Sequence, residues 1–266
     1  MQELTYSFQR HDITDDEWCV IGPIIEDIVV NKLGRPYKDL RATVNGVLWI
    51  SRTGAPWRDL PPIYGEWNTV YKFHNKLAKN GLMKEIHHIL VPVEDCGVSM
   101  NDSTSCKAHQ HSAGASKSDP LSDVNQHIGL SRGGRNTKIH ATVNDSGHLT
   151  NAMLTGGNVN DCTVTIDLLN ELEGDVETFV GDKAYGTKEI REYCEEKGIE
   201  FCVPPKSNTK EPWKYNKDTY KKRSIVENFF LKLKQFRRIA TRYDKLARNF
   251  LSLVYFCSLF VSLRCV

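Results

Sequence analysis

No C-x-x-C pair occurs among the eight cysteines of this 266-residue chain, Cys19, Cys96, Cys106, Cys162, Cys194, Cys202, Cys257 and Cys265. That excludes a zinc ribbon or a thioredoxin-like motif, and scattered thiols in a chain this long are expected to be buried and reduced. No glycine-rich nucleotide loop and no nucleophile elbow is present, which leaves an enzyme of small molecules without support. No internal repeat is visible. The longest apolar run, Phe250 to Leu263, spans about 14 residues with Ser252 and Ser258 inside it, short of the roughly 20 that a spanning helix needs. The opening MQELTYSFQRHDITDDEW is too polar and acidic for a signal peptide, so a cytoplasmic protein is expected. A strong excess of either charge is also missing, the net being +2.

What is present is uneven. Apolar residues at 40% suffice for a core and exclude a disordered chain. Residues 1–30 carry a net −6, residues 31–84 +7, residues 85–202 −10 and residues 203–266 +11. Two basic segments flanking an acidic middle point to a polyanionic partner, with the acids kept for another task.

Asp15-Asp16-Glu17-Trp18 opens a helix with acids at its positive end, and Val20, Ile21, Ile24, Ile25 and Ile28 recur at helical spacing. After a break at Gly34-Arg35-Pro36, Leu40, Val44, Val47 and Leu48 predict a second helix closed by Gly54-Ala55-Pro56. Val70, Phe73, Leu77 and Leu82 predict a third. Short helices with tight turns in a basic stretch suggest a helix-turn-helix module over residues 1–95.

From residue 97 the texture becomes that of strands. Val98–Asp102 predicts a short strand, Lys138–Asn144 and His148–Thr155 a hairpin about Asn144-Asp-Ser-Gly147, and Asp161–Leu172 a helix. Thr178–Asp182 predicts a strand, Thr187–Lys197 a helix and Ile199–Val203 a strand. This is a mixed α/β order over residues 96–266. Residues 103–136, rich in Ser, Gly, His and basic residues, predict a long loop inserted in it.

A helix from about Thr219 places Tyr220, Arg223, Glu227 and Lys234 within roughly 60° of one another. Val226, Phe229, Leu233 and Phe236 form the apolar stripe beside them. Cations around one carboxylate suit phosphate binding next to a metal ligand. Asp102 and Asp182 stand at predicted strand ends and converge with Glu227 if their strands are neighbours. Three hard oxygen ligands suit Mg²⁺ or Mn²⁺, and a pair of such ions suits phosphodiester chemistry. The alternative is that Asp102 caps a turn through Asp-Ser-Thr and that Asp182 is a surface strand end.

The segments Asp102-Ser-Thr-Ser-Cys-Lys-Ala-His-Gln-His111, Ser131-Arg-Gly-Gly, Thr137-Lys-Ile-His140, Gly181-Asp-Lys-Ala-Tyr-Gly186 and Arg237–Lys245 resemble the DDE transposases of bacterial insertion sequences, the IS-five-type group above all. The helix carries that family's Tyr-(2)-Arg-(3)-Glu-(6)-Lys signature at Tyr220, Arg223, Glu227 and Lys234. Gly54–Pro61 resembles the group's N-terminal domain, so the likeness runs from about residue 12 to 264. The resemblance implies a ribonuclease H-like catalytic core with Asp102, Asp182 and Glu227 as catalytic ligands of two Mg²⁺ ions, Mn²⁺ substituting. It also implies cutting of double-stranded DNA at the element's inverted-repeat ends by water, then joining of the freed 3′-hydroxyl to a target. Arg223 and Lys234 would hold phosphate and Tyr220 would position the backbone.

Further DNA contacts are expected from Arg132 and Arg135 in the loop, with His109 and His111 near them, and from the run Arg237, Arg238, Arg242, Lys245 and Arg248. Lys183 and Tyr185 are expected to pack or solvate, and the helix over Phe250–Leu263 to be core. A homo-oligomer in the DNA complex follows from the need to hold two ends, with no membrane involved. A catalytically silent DNA-binding derivative would have lost a metal carboxylate, and none is lost. A nuclease that cuts without joining would have the same site.

Overall fold

Thr14 starts the first helix because its hydroxyl accepts from Glu17 N at 3.2 Å while its own N–H donates to Glu17 Oε2 at 2.9 Å. The computed structural model describes residues 9–33, 37–91, 97–114, 126–172 and 174–264. Cys96, Cys265, the expected break at Gly34–Pro36, the expected domain junction at 95/96 and the middle of the expected 103–136 loop lie outside them.

Helix α1 (Asp15–Ile28) buries Ile21, Ile25 and Ile28, while Val20 is left exposed. Helix α2 (Leu40–Thr53) is capped by Asp39, whose carboxylate accepts from Ala42 N, and is closed by Gly54 at φ +71°. The predicted third helix is two, α3 (Trp67–Lys79) and α4 (Leu82–Leu90). Gly81 at φ +68° ends the first and turns the chain into the second. Leu82 therefore sits one helix later than its spacing suggested.

The second half is built on one mixed sheet. Strand β1 (Val98–Ala108) pairs antiparallel with β3 (Gly134–Val143), which pairs antiparallel with β4 (Leu149–Gly156). On the other side β1 runs parallel to β5 (Thr178–Val180), and β5 parallel to β6 (Glu200–Cys202). The order β4-β3-β1-β5-β6, three antiparallel strands followed by two parallel ones, is the ribonuclease H-like arrangement. Short β2 (Gly129–Ser131) extends the edge beside β3, and β7 (Thr241–Arg242) pairs with the end of β1. The expected loop over 103–136 is thus strand at both ends. Ser103–Lys107 looks polar and aperiodic, but β3 supplies a full ladder partner from Asn136 to Val143.

Helices α5 (Thr165–Asn170) and α6 (Lys188–Lys197) lie with the parallel end of the sheet, around Leu169, Phe179, Tyr185, Ile190 and Cys194. A 3₁₀ turn over Asp161–Val164 replaces the first part of the helix expected there. The helix expected from Thr219 is α7 (Lys217–Lys221) and α8 (Ser224–Leu233), interrupted at Lys222-Arg223. After α9 (Arg237–Ala240), the last helix α10 (Ala247–Leu263) is core, as its composition predicts. It packs on α3, α4, α8 and β4 with Phe250, Leu253, Tyr255, Leu259 and Phe260 buried. Each such side chain contributes about 1.5–3 kcal/mol by leaving water. No helix among the described residues is long and apolar enough to cross a membrane.

Candidate active site

Side chains alternate across a sheet, and that alternation sorts the site. Met100 faces Val143, Asp102 faces Ala141 and Thr104 faces Ile139, so Asp102 lies on the sheet face that Val226 and Phe229 of α8 cover. Asp182 follows Val180 by two residues and keeps its phase, Val180 being paired with Met100. Asp102 is not at a strand end, as expected, but mid-strand. It stands just past the point where the parallel pairing with β5 stops.

Arg223 joins the acids. Its Nη2 donates to Glu227 Oε1, one helical turn on, and its Nη1 lies 3.7 Å from Asp102 Oδ2. The guanidinium sits 6.0 Å from the Tyr220 ring centre. Lys234, at the end of α8, donates from Nζ to the Ser105 carbonyl at 3.1 Å, keeping two further protons for other acceptors. The break between α7 and α8 therefore leaves Tyr220, Arg223, Glu227 and Lys234 on one side, toward β1.

Burial raises the Asp102 carboxyl above its ordinary range. The Ser103 N–H and Arg223 oppose the shift, while the charges of Asp182 and Glu227 add to it. Asp182 Oδ1 accepts from Ala184 N at 2.7 Å and so caps the 3₁₀ turn Lys183–Tyr185. Asp182 is thus a turn cap, and its charge is also near enough to raise the Asp102 carboxyl, while Asp102, within β1, caps no turn. Among the described residues no three His, Cys, Asp or Glu side chains are drawn close enough to grip one ion as folded. The donor set is nevertheless oxygen-only, mutually repelling and bridged by a cation, which is the chemistry a hard divalent ion satisfies.

The basic residues divide. Arg132 and Arg135 are exposed on the β2–β3 hairpin, and Arg237 is exposed on α9. Two others correct the expectation of a DNA-facing run. Arg238 is buried and pairs with Asp244 through Nε at 3.1 Å and Nη2 at 3.2 Å. Arg242 is 0% exposed and donates to the carbonyls of Asp244, Gln126 and Lys245 and to Thr137 Oγ1. Neither guanidinium offers a surface to phosphate. His109 serves local structure, its Nδ1 accepting from His111 N with its ring 4.9 Å from Tyr243.

Sequence reasoning missed Asp161 and Lys138. They form an ion pair at 2.7 Å, and Ser103 Oγ donates to the same Asp161 oxygen at 2.6 Å. The signal available was the alternation that puts Lys138 and His140 on one face of β3. It was hidden because Asp161 reads as a helix start.

A ribonuclease H-like sheet with two aspartates at its centre and a glutamate on the helix across it defines an acidic-site protein of that fold. Residues 97–260 match the family described as "Transposase DDE domain", and residues 13–87 match "Putative transposase of IS4/5 family". The chain belongs to the transposase DDE-domain family. It is 32% identical over 133 residues to the "Putative transposase for insertion sequence element IS6501" of Brucella ovis, covering 48% of this chain and 98% of that one. It is also 33% identical over 103 residues to the uncharacterized protein y4sN of Sinorhizobium fredii, covering 39% and 82%. Among solved structures, the catalytic core domain of BIV integrase aligns over 60% of this chain and 82% of its own at 16% identity and TM-score 0.34. The Mos1 transposase paired-end complex aligns over 82% and 80% at 14% and 0.27.

Proposed function

We propose that this protein is a transposase that cuts double-stranded DNA at the inverted-repeat ends of its own insertion sequence and joins the freed 3′-hydroxyl ends to target DNA. The observation that supports this is that Arg223 pairs with Glu227 and lies 3.7 Å from Asp102, whose carboxyl is raised in part by the charges of Asp182 and Glu227, in a transposase-family chain. Divalent cations held by these carboxylates, Mg²⁺ or Mn²⁺ and two in number, would activate the attacking oxygen and stabilise the leaving one. In the first step water attacks phosphorus and the 3′-oxygen leaves. In the second the 3′-hydroxyl attacks a target phosphodiester and a target 3′-oxygen leaves, so one site serves both.

The protein side chains bind and orient. Arg223 and Lys234 hold phosphate oxygens beside the scissile bond, and Tyr220 packs the backbone against them. Arg132, Arg135 and Arg237 bind phosphates farther along the duplex, and two copies of the chain hold the two ends. On this reading the protein acts in the cytoplasm, on the chromosome.

The test is excision and joining from a donor plasmid carrying the DNA that natively flanks the gene, with the wild type beside Asp182→Asn. Joined products that vanish with Asp182→Asn and with EDTA are expected. Cleavage without joining would mark a nuclease, and flank binding with neither reaction would sink the enzyme claim.

A further inference from the structure

The parallel pairing of β1 with β5 ends at Met100 and Val180, two residues short of Asp102 and Asp182. No ladder bond therefore sets the spacing of the two aspartates. What spans that gap lies on the opposite face of the sheet. Ser103, directly after Asp102, donates to Asp161 Oδ1 at 2.6 Å, and Lys138 Nζ reaches the same oxygen at 2.7 Å and the Val159 carbonyl at 2.8 Å. Asp161 opens the turn Asp161–Val164, which packs against the turn Lys183–Tyr185 that Asp182 caps.

Tyr185, the last residue of the second turn, is 2% exposed in a cluster that Cys162 of the first turn packs against, and a Cβ on Gly181 would lie 3.0 Å from its ring. The Lys138 side chain is only 16% exposed and its lysine-to-carboxylate bond is shared with a hydroxyl. This is unlike a solvated surface pair, whose contribution is about 0–1 kcal/mol. One carboxylate thus ties the residue after Asp102 to the neighbouring strand β3, from a turn that packs against the one Asp182 caps.

We propose that Asp161 and Lys138, acting through Ser103, are positioning residues that fix the spacing of Asp102 and Asp182 for divalent-cation binding. The inference rests on the metal-dependent function proposed above. Groups behind metal ligands typically change metal affinity about 10–100-fold when removed.

The experiment titrates Mn²⁺ into the full chain by electron paramagnetic resonance of the free ion, without DNA, with thermal melting alongside. Asp161→Asn and Lys138→Met are expected to weaken Mn²⁺ binding by about tenfold or more. Ser103→Ala should weaken it less, and Lys138→Arg should restore it. The Mg²⁺ concentration for half-maximal cleavage should rise by the same factors, with the rate recovering at saturating metal. A wild-type Mn²⁺ titration in folded Asp161→Asn overturns the positioning role and leaves the metal site standing. Should Asp161→Asn not fold, Ser103→Ala decides, since it removes a single hydrogen bond and an unshifted titration overturns the proposal. Wild-type Mn²⁺ binding that ignores Asp182→Asn removes the metal function itself, and the positioning role with it.

Discussion

Arg237 and Arg238 are neighbours in the chain with opposite fates. Arg237 is exposed on α9, and Arg238 is buried against Asp244. Removing one partner of a buried pair strands the other charge, at about 3–5 kcal/mol. Arg238→Leu is therefore expected to lower the melting temperature by on the order of 10 °C. Arg237→Ala and Arg132→Ala should leave melting unchanged and reduce the slope of log affinity for DNA against log salt by about one each. Equal melting temperatures for Arg238→Leu and Arg237→Ala would contradict this division. The two arginines look alike in sequence because burial depends on a carboxylate six residues later and on the Ala55 carbonyl far upstream, to which Arg238 Nη1 also donates. Asp102, Asp182 and Glu227 can be proposed from the sequence for the converse reason, that motif spacing survives whatever encloses it. The backing supplied by Asp161 was not legible, because it depends on which strand lies beside which.

At the scale of elements, α4 docks on α10 through an apolar seam containing a histidine. His87 is 0% exposed, neither ring nitrogen has a hydrogen-bond partner, and its ring lies 5.5 Å from that of Tyr255. Burial above all, with the charges of His88 and His148, pushes its pKa down to about 3, and burial takes His74 of α3 down to about 4. Below about pH 6.5 the unfolded chain binds protons that these native imidazoles refuse. Stability is thus full above that pH and falls as pH drops toward 4, by at most about 1.4 kcal/mol per pH unit for each group. Thermal melting between pH 7 and pH 4.5 should show the decline, and His87→Leu should flatten it. A slope indifferent to His87→Leu would mean that the ring is solvated in the native state. Gly54 ends α2, as Gly54-Ala55-Pro56 predicts. At φ +71°, with a Cβ only 3.2 Å from that of Arg237, Gly54→Ala should cost about 1 kcal/mol or more in denaturant unfolding. Periodicity predicts one continuous helix from near Thr219 because it carries no information on a two-residue interruption that keeps the same face.

At the scale of the whole molecule, α10 packs against the N-terminal helices α3 and α4 and against β4 and α8 of the sheet half, and one cluster of buried residues runs through all of them. The Tyr255 hydroxyl ties this helix to the sheet, donating to Asn151 Oδ1 and accepting from Ala152 N, both at 3.0 Å. Unfolding should then be one transition. Four of the five tryptophans lie before residue 70, so their fluorescence reports the N-terminal helices while far-UV circular dichroism reports the whole. Coincident denaturant curves are expected, and an earlier fluorescence transition would show that the two halves unfold separately.

The sequence by itself determined most element types, the closing glycine of α2, the apolar face of the last helix and which acids are candidates for the site, because each is written in local spacing. Only the tertiary structure decided that Ser103–Ala108 is strand, that Arg238 and Arg242 are interior, and that Asp161 backs the two aspartates. Those outcomes depend on ladder partners and buried acceptors, some supplied by segments more than a hundred residues away, as between Arg242 and the Gln126 carbonyl. No local period encodes such a distance.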